Sequence, residues 1–303
     1  KAIDSVVSQS IGFKDNVEII IVNDGSYDKT VEIVNEYIEK YPNNIRLINN
    51  STNLGVSASR NLGINEAKGE FINFLDSDDY ISNKTLDTVL KTFNNNLDID
   101  LIAIPIYLFG LQKGEHLLNY KFKEFNYFDD ENKNKINDNV SIVNSAENKK
   151  INDNVSIVNL KNYPQSIQLS ASSSFFRAKS IKNIRFDESM DSAEDAIFVN
   201  EILLKKPTFA LISNISYYYR KKDSSLSLLD SSSYSKEYYT LRFKNFYFKL
   251  IEESIKKYGE VLEFIQYTIA YDLQWLLTID FVDFILNNNE FDELYSNIIK
   301  CLS

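Results

Sequence analysis

Over the first 110 residues short apolar runs alternate with amphipathic stretches, and that alternation limits the folds open to the chain. "VEIIIVN" (17–23) is a continuous run rich in β-branched residues and closed by the turn signal "DGS", the pattern of a strand buried on both faces. In "DKTVEIVNEYIEK" the apolar Val31, Val34 and Ile38 recur at helical spacing. "IRLIN" (45–49) reads as a second strand and "VSASRNLGINEAKG" as a helix that Gly69 ends in a left-handed C′ position. "EFINFL" is a third strand and "SNKTLDTVLKTF" a third helix, while "DIDLIAIPIYLF" supplies a fourth strand in which Pro105 marks a sheet edge or a bulge. Alternation at these lengths predicts an α/β fold with a mostly parallel sheet flanked by helices. Ligands of such sheets gather at the carboxyl ends of the strands, where Asp24 and Asp76 fall.

From about residue 111 to 165 the pattern is lost, and "KINDNVSIVN" occurs twice, at 135–144 and 150–159. Two copies are too few for a solenoid, so the segment at about 130–160 reads as a duplicated surface insertion. Order returns with "LSASSSFFR", "SAEDAIFVNEILLKK" and the strand-like "TFALISNISYYYR" (208–220). Beyond the Ser-rich linker "SSLSLLDSSSYS" (224–235), apolar residues again fall at 3- and 4-residue spacings. The expected organisation is one α/β domain over 1–231 and a helical C-terminal region over 232–303.

Charge narrows the function classes. With 33 Lys and Arg against 43 Asp and Glu, a net charge of −10 argues against a non-specific grip on nucleic acid. A single cysteine, Cys301, excludes an intrachain disulfide framework, and a single histidine, His116, excludes His-rich metal sites. Any metal must therefore sit on oxygen ligands, which favours Mg²⁺ or Mn²⁺. No apolar run approaches the ~18 residues of a membrane span, so the chain reads as cytoplasmic.

"FINFLDSDDY" (71–80) ends an apolar strand in three carboxylates. Helix capping explains them only in part, because Ser82 and Asn83 stand closer to the next helix and can cap it. At an extended strand end Asp76 and Asp78 project to the same side and repel unless a cation neutralises them. A divalent metal bridging to a nucleotide diphosphate resolves that conflict. Asp24, in "VNDGSYDKT", could accept the N–H of a uracil-type base, whereas Asp28 or Ser26 caps the following helix. Arg60 is either a surface ion pair worth at most ~1 kcal/mol or a contact to nucleotide. Glu194 and Asp195 begin an amphipathic helix, where dipole complementarity is the plain alternative to chemistry. Arg220, Lys221 and Lys222 form a local basic group suited to a diphosphate, unless they are simply a solvated face.

Together "VEIIIVNDGSYDKT", "NLGVSASRNLGINEAKGEFINFLDSDDY", "SAEDAIFVNEIL" and "YYYRKKDSSLS" closely resemble family 2 glycosyltransferases of the GT-A (Rossmann-like) fold, in order and spacing over residues 17 to about 227. The resemblance implies a metal-dependent inverting enzyme with Asp24 binding the base, Arg60 on the nucleotide side, and Asp76 and Asp78 at the ends of the Asp-x-Asp motif. Asp78 would be the metal ligand, Asp195 the general base, and Arg220 a residue facing the donor diphosphate. The implied partners are a nucleotide-diphosphate sugar, with UDP the expected carrier, and a glycan or lipid-linked glycan acceptor. The C-terminal half resembles members that build capsules, teichoic acids or lipooligosaccharides, which leaves room for peripheral association at the inner face of the cell membrane. The insertion, on a second reading, is a flap that touches the acceptor. Family members usually open with an apolar strand ending near a Pro-x-Tyr-Asn segment; here "KAIDSVVSQSIGF" looks like the helix after it, so a truncated amino end is expected. A non-catalytic nucleotide-binding or scaffold module of a larger polymer-building enzyme is the alternative. A nucleotidyltransferase ranks below both, because no Gly-rich phosphate loop with Lys or Arg appears near the amino end.

Overall fold

A computed structural model of the chain describes residues 1–123, 150–152, 154–222, 236–277 and 288–302. Helix α1 (Ala2–Val7) and the single turn α2 (Phe13–Asn16) lead into β1 (Ile19–Asn23), α3 (Thr30–Lys40), β2 (Ile45–Asn49), α4 (Val56–Glu66), β3 (Phe71–Asn73), β4 (Tyr80–Ile81) and α5 (Thr85–Asn95). Up to this point the alternation folds as read. Gly69 does not end α4; Ala67 turns extended after Glu66, and the N–H groups of Lys68 and Gly69 both donate to Glu18 Oε1, at 2.7 and 2.8 Å.

The stretch read as one fourth strand is two, β5 (Leu101–Ala103) and β6 (Ile106–Gly110). Pro105 has no N–H for a ladder, so the strand breaks there, and its carbonyl accepts from Tyr217 N at 2.9 Å. Residues 208–220 divide in the same way, into β11 (Thr208–Ile212) and β12 (Tyr217–Lys221). Both breaks carry the chain from one sheet to another. With β7 (Gly114–Glu115), β8 (Lys150–Asn152), β9 (Val155–Asn159) and β10 (Ser174–Arg177), the sheets are β3-β10-β5-β11-β9-β8, β4-β12-β6-β7 and a separate parallel pair β1-β2.

The expected mostly parallel sheet is in fact mixed. In the six-stranded sheet only β5 and β11 run parallel; β10 enters antiparallel between β3 and β5, and β9 pairs antiparallel with β11. Apolar patterning records that a strand is covered on both faces, whatever the direction of its neighbours. The second copy of the repeat is also part of this sheet rather than a surface insertion, with Val155 and Val158 buried. The first copy lies outside the described residues.

Successive residues of the central strands feed two cores. Leu101, Ala103, Phe176, Phe209 and Leu211 face one, while Ile102, Phe175, Ala210 and Ile212 face the other with Val89 and Phe93 of α5. After α6 (Ala178–Ile181) comes α7 (Glu194–Lys205), almost wholly buried against the first core. The C-terminal helices α8 (Lys236–Leu241), the π-helical segment Arg242–Phe248, α9 (Lys249–Tyr258), α10 (Glu263–Leu277) and α11 (Asn288–Leu302) follow. Tyr239, Phe243, Phe246, Leu250 and Ile265 join the cluster that holds Phe198 and Leu203 of α7. Each such side chain contributes about 1.5–3 kcal/mol by leaving water, so these helices and the sheet domain share one core. The Ser-rich linker and the expected boundary at 231/232 lie outside the described residues.

Candidate active site

Gly25, directly after β1 and Asp24, adopts φ +76, and a Cβ there would sit 3.1 Å from Asn53 N. A side chain at this turn would collide with the 50–55 loop, and the close approach lets Asp24 reach it. Asp24 Oδ1 accepts from Asn50 Nδ2 at 2.8 Å and Leu54 N at 2.9 Å; Oδ2 accepts from Gly55 N at 2.8 Å. Burial pushes this carboxyl up, but those donors outweigh it and hold Asp24 below the usual aspartate value. Gly55 is also the N-cap of α4, so Asp24 fixes the start of the helix that carries Arg60. Asp28 accepts from Thr30 N at 2.9 Å at the entrance to α3, the capping role expected for it.

The Asp-rich segment is not an extended strand end. After β3 the chain turns, closed by Asp79 N donating to Asp76 O at 3.1 Å, and the three carboxylates diverge. Asp76 Oδ1 lies 3.3 Å from Arg60 Nη2, and its Oδ2 accepts from Ser172 Oγ at 3.1 Å. Asp78 Oδ2 meets Lys222 Nζ at 2.6 Å. Asp79 does not support entry to α5. It is buried, accepts from Tyr217 OH at 2.6 Å and Arg220 N at 2.7 Å, and pins β12 to the turn. Burial pushes Asp79 up to about 6, against those two donors.

Arg60 joins the two halves of the site. From α4 its Nη1 reaches Glu194 Oε1 at 3.0 Å and Asp195 Oδ1 at 2.5 Å, while Nη2 faces Asp76. The guanidinium is 11% exposed and lies over the Phe186 ring, 5.2 Å from its centroid. Arg60 is thus shared by three carboxylates rather than held in a single surface pair. Asp195 Oδ2 accepts from Ala171 N at 2.9 Å. Burial raises Asp195, with Arg60 pulling in the opposite direction; burial and the Asp195 charge push Glu194 up to about 7. A carboxylate held through both oxygens and raised by burial is suited to accepting a proton.

Of the residues singled out in the sequence, Arg60, Asp76 and Asp195 are brought into contact. Asp78, two positions after Asp76, lies apart from them beside Lys222. Arg220 joins the site through its backbone N–H, its side chain being exposed. Asp24 touches none of them and acts through the start of α4. Sequence reasoning missed Ser172 and Ala171, which bond the two central carboxylates from the "SASSS" loop; a serine run with no helical or strand period was the available signal.

Among the described residues no group of three His, Cys, Asp or Glu side chains converges as a ready metal cage. The donor set nevertheless fits Mg²⁺ or Mn²⁺, which are typically held by one or two carboxylates together with substrate phosphates and water. No helix among the described residues is long and apolar enough to cross a membrane.

The family model for glycosyl transferase family 2 matches residues 1–149. The chain is 33% identical over 305 residues to the minor teichoic acid biosynthesis protein GgaB of Bacillus subtilis (strain 168), covering 100% of this chain and 30% of that protein. With the minor teichoic acid biosynthesis protein GgaA of the same organism it is 31% identical over 307 residues, covering 99% and 62%. The chain therefore spans less than two thirds of the length of either relative. The crystal structure of S. aureus TarS 1–349 in complex with UDP-GlcNAc aligns at a TM-score of 0.65 and 20% identity, over 99% of this chain and 75% of that one. That structure shares the fold described above, and the family model together with the GgaA and GgaB relatives shows that the chain belongs to glycosyltransferase family 2, with its GT-A architecture.

Proposed function

We propose that this chain is the catalytic module of an inverting, divalent-metal-dependent glycosyltransferase that moves a sugar from a UDP-type donor to a hydroxyl of a bacterial surface glycan. The observation that carries the reading is the Arg60 bridge, which sets a buried, backbone-anchored Asp195 beside Asp76 of the Asp-x-Asp turn. The names of GgaA and GgaB favour a teichoic-acid-type acceptor, and the UDP-GlcNAc in TarS favours a uridine donor. Such a donor and a lipid-linked acceptor put the reaction at the cytoplasmic face of the membrane.

Asp195 takes the proton of the acceptor hydroxyl while that oxygen attacks the anomeric carbon and the bond to the diphosphate breaks, so configuration inverts in one displacement. Arg60 holds Asp195 and Asp76 in place. Asp24 completes the base pocket and orders the start of α4. Arg220, on the exposed end of β12, and Lys222, the second residue after it, face the donor diphosphate. Asp78, with Asp76 two residues earlier in the same turn, would hold Mg²⁺ or Mn²⁺, which when bound supplies charge stabilisation for the departing diphosphate.

The test is release of UDP from a UDP-sugar in the presence of a teichoic-acid-type acceptor. Chelation and Asp78→Ala should each abolish it, and undiminished turnover without metal would sink the metal-dependent reading. A span of 30% of GgaB favours a second reading, a nucleotide-binding module within a larger polymer-building protein. That reading expects UDP-sugar binding without turnover by the intact protein.

A further inference from the structure

Ser192 and Arg242 have no part in the roles above, yet together they tie the candidate base to the C-terminal helices. Arg242, 4% exposed, opens the π-helical segment Arg242–Phe248. Its Nη1 lies 2.8 Å from Asp272 Oδ2 on α10, an oxygen that also accepts from Tyr247 OH at 2.6 Å. Its Nη2 donates to Ser192 Oγ at 2.7 Å, and its guanidinium lies over the Tyr238 ring at 4.1 Å. Ser192 is buried and directly precedes Ala193, the one non-glycine residue with a left-handed backbone among the described residues, at φ 65. Ala193 is the N-cap of α7, whose second residue is Asp195.

A left-handed backbone on a residue with a Cβ persists only where the surroundings impose it. Here the fork of Arg242 holds the residue before it and the Ala171 N–H holds the carboxylate after it. Widened helical turns such as the one that begins at Arg242 are frequent at functional positions. We infer that Arg242 is a positioning residue for Asp195: braced by Asp272 and Tyr247, it grips Ser192 and so fixes the Ala193 elbow that aims the Asp195 carboxylate. The inference rests on the reading of Asp195 as general base. It makes the C-terminal helices part of the catalytic apparatus, since releasing Ser192 lets Ala193 relax and the first turn of α7 rotate.

The experiment uses the intact protein with a donor and acceptor that the wild type turns over. Ser192→Ala, which leaves Arg242 paired with Asp272, should lower kcat about tenfold with KM for the donor unchanged. Ala193→Gly removes the strain and should lower kcat several-fold without lowering Tm, an outcome a purely structural role would not give. Arg242→Lys should match Ser192→Ala, and the double variant should be no worse than Arg242→Lys alone. Wild-type kcat in both Ser192→Ala and Ala193→Gly would overturn the inference, whatever Arg242→Lys does to folding. The ¹³C carboxyl resonance of Asp195 gives a readout independent of turnover. It should move in Ser192→Ala, and an unmoved resonance counts against positioning. A moved resonance together with full transfer by Asp195→Asn removes the general-base reading and leaves the positioning of Asp195 intact.

Discussion

Arg60 and Arg242 each join distant elements of this molecule, and their surroundings are charged differently. Arg60 faces three carboxylates, Asp76, Glu194 and Asp195, at the mouth of the sheet. Arg242 faces one, Asp272, with a tyrosine and a serine completing its shell. The first cluster carries an excess of negative charge, and burial, with the neighbouring carboxylates adding to it, pushes Glu194 and Asp195 up. The second is balanced. An unbalanced buried cluster opposes folding, and its persistence points to a proton or a ligand that uses it. A balanced one holds shape.

The largest effect should come from the unbalanced cluster. Asp195→Asn keeps the shape and removes the proton acceptor, so transfer should fall by the ~10²–10⁴ that general-base catalysis contributes. Donor affinity, followed by calorimetry, should barely change. Unaltered transfer would pass the proton to another group, with Glu194 the nearest. In the balanced cluster the expected loss is stability. Arg242→Met leaves Asp272 buried without its cation and should cost about 3–5 kcal/mol in urea unfolding. Adding Asp272→Leu should recover most of that; no recovery would mean that Arg242 acts by packing and that the contrast between the clusters is wrong.

The two clusters also mark the limit of what local sequence discloses. Strand β2 lies where "IRLIN" was read, α3, α4 and α7 fall within the stretches read as helical, and α5 runs two residues past its stretch, because burial and periodicity are local properties. Strand direction is not local, so β10, which enters antiparallel between β3 and β5, escaped the pattern. Nor does an apolar run show where it changes sheets, as at Pro105 and between β11 and β12. In the site, Asp24, Asp76, Asp78 and Asp195 stood out as carboxylates at strand and helix ends. The role of Arg60 did not, since its partner Asp195 is 135 positions away. The partners of Asp79 were equally out of local view, since Tyr217 and Arg220 lie on a distant strand.

Another buried cation extends the contrast to a charge paired with no acid among the described residues. Lys121 is 1% exposed, and its Nζ donates to Ile167 O at 3.0 Å. Burial pushes it down to about 7. Below pH 7 both the folded and unfolded forms carry the proton, and the folded form bears the full penalty of a buried charge. As pH rises from 7 toward the ordinary lysine value the folded form sheds its proton first, and the penalty fades by about 1.4 kcal/mol per pH unit. Lys121→Met should therefore be more stable than the wild type at pH 6, with the advantage shrinking steadily by pH 9. A pH-independent difference in urea midpoint would show that Lys121 keeps its proton in the folded protein at both pH values, as it does in the unfolded chain.

The smallest effect should come from the exposed rim, where Lys222 is paired with Asp78 and both side chains are partly solvated, at 43% and 27% exposure. Surface pairs of this kind are worth about 0–1 kcal/mol, so a divalent ion arriving at Asp78 has little to displace. Lys222→Met should raise the affinity for Mn²⁺ in the absence of donor by at most about fivefold, the equivalent of ~1 kcal/mol. In the presence of donor the sign should reverse. With the ion on Asp78, the freed ammonium would turn to the diphosphate, and its loss would weaken nucleotide binding by a similar factor. Titrating Mn²⁺ and UDP separately and then together distinguishes these contributions. If Mn²⁺ binds equally to wild type and variant without donor, the Lys222 pair does not compete for Asp78. The rim would then resemble the balanced Arg242 cluster more than the charged Arg60 cluster it adjoins.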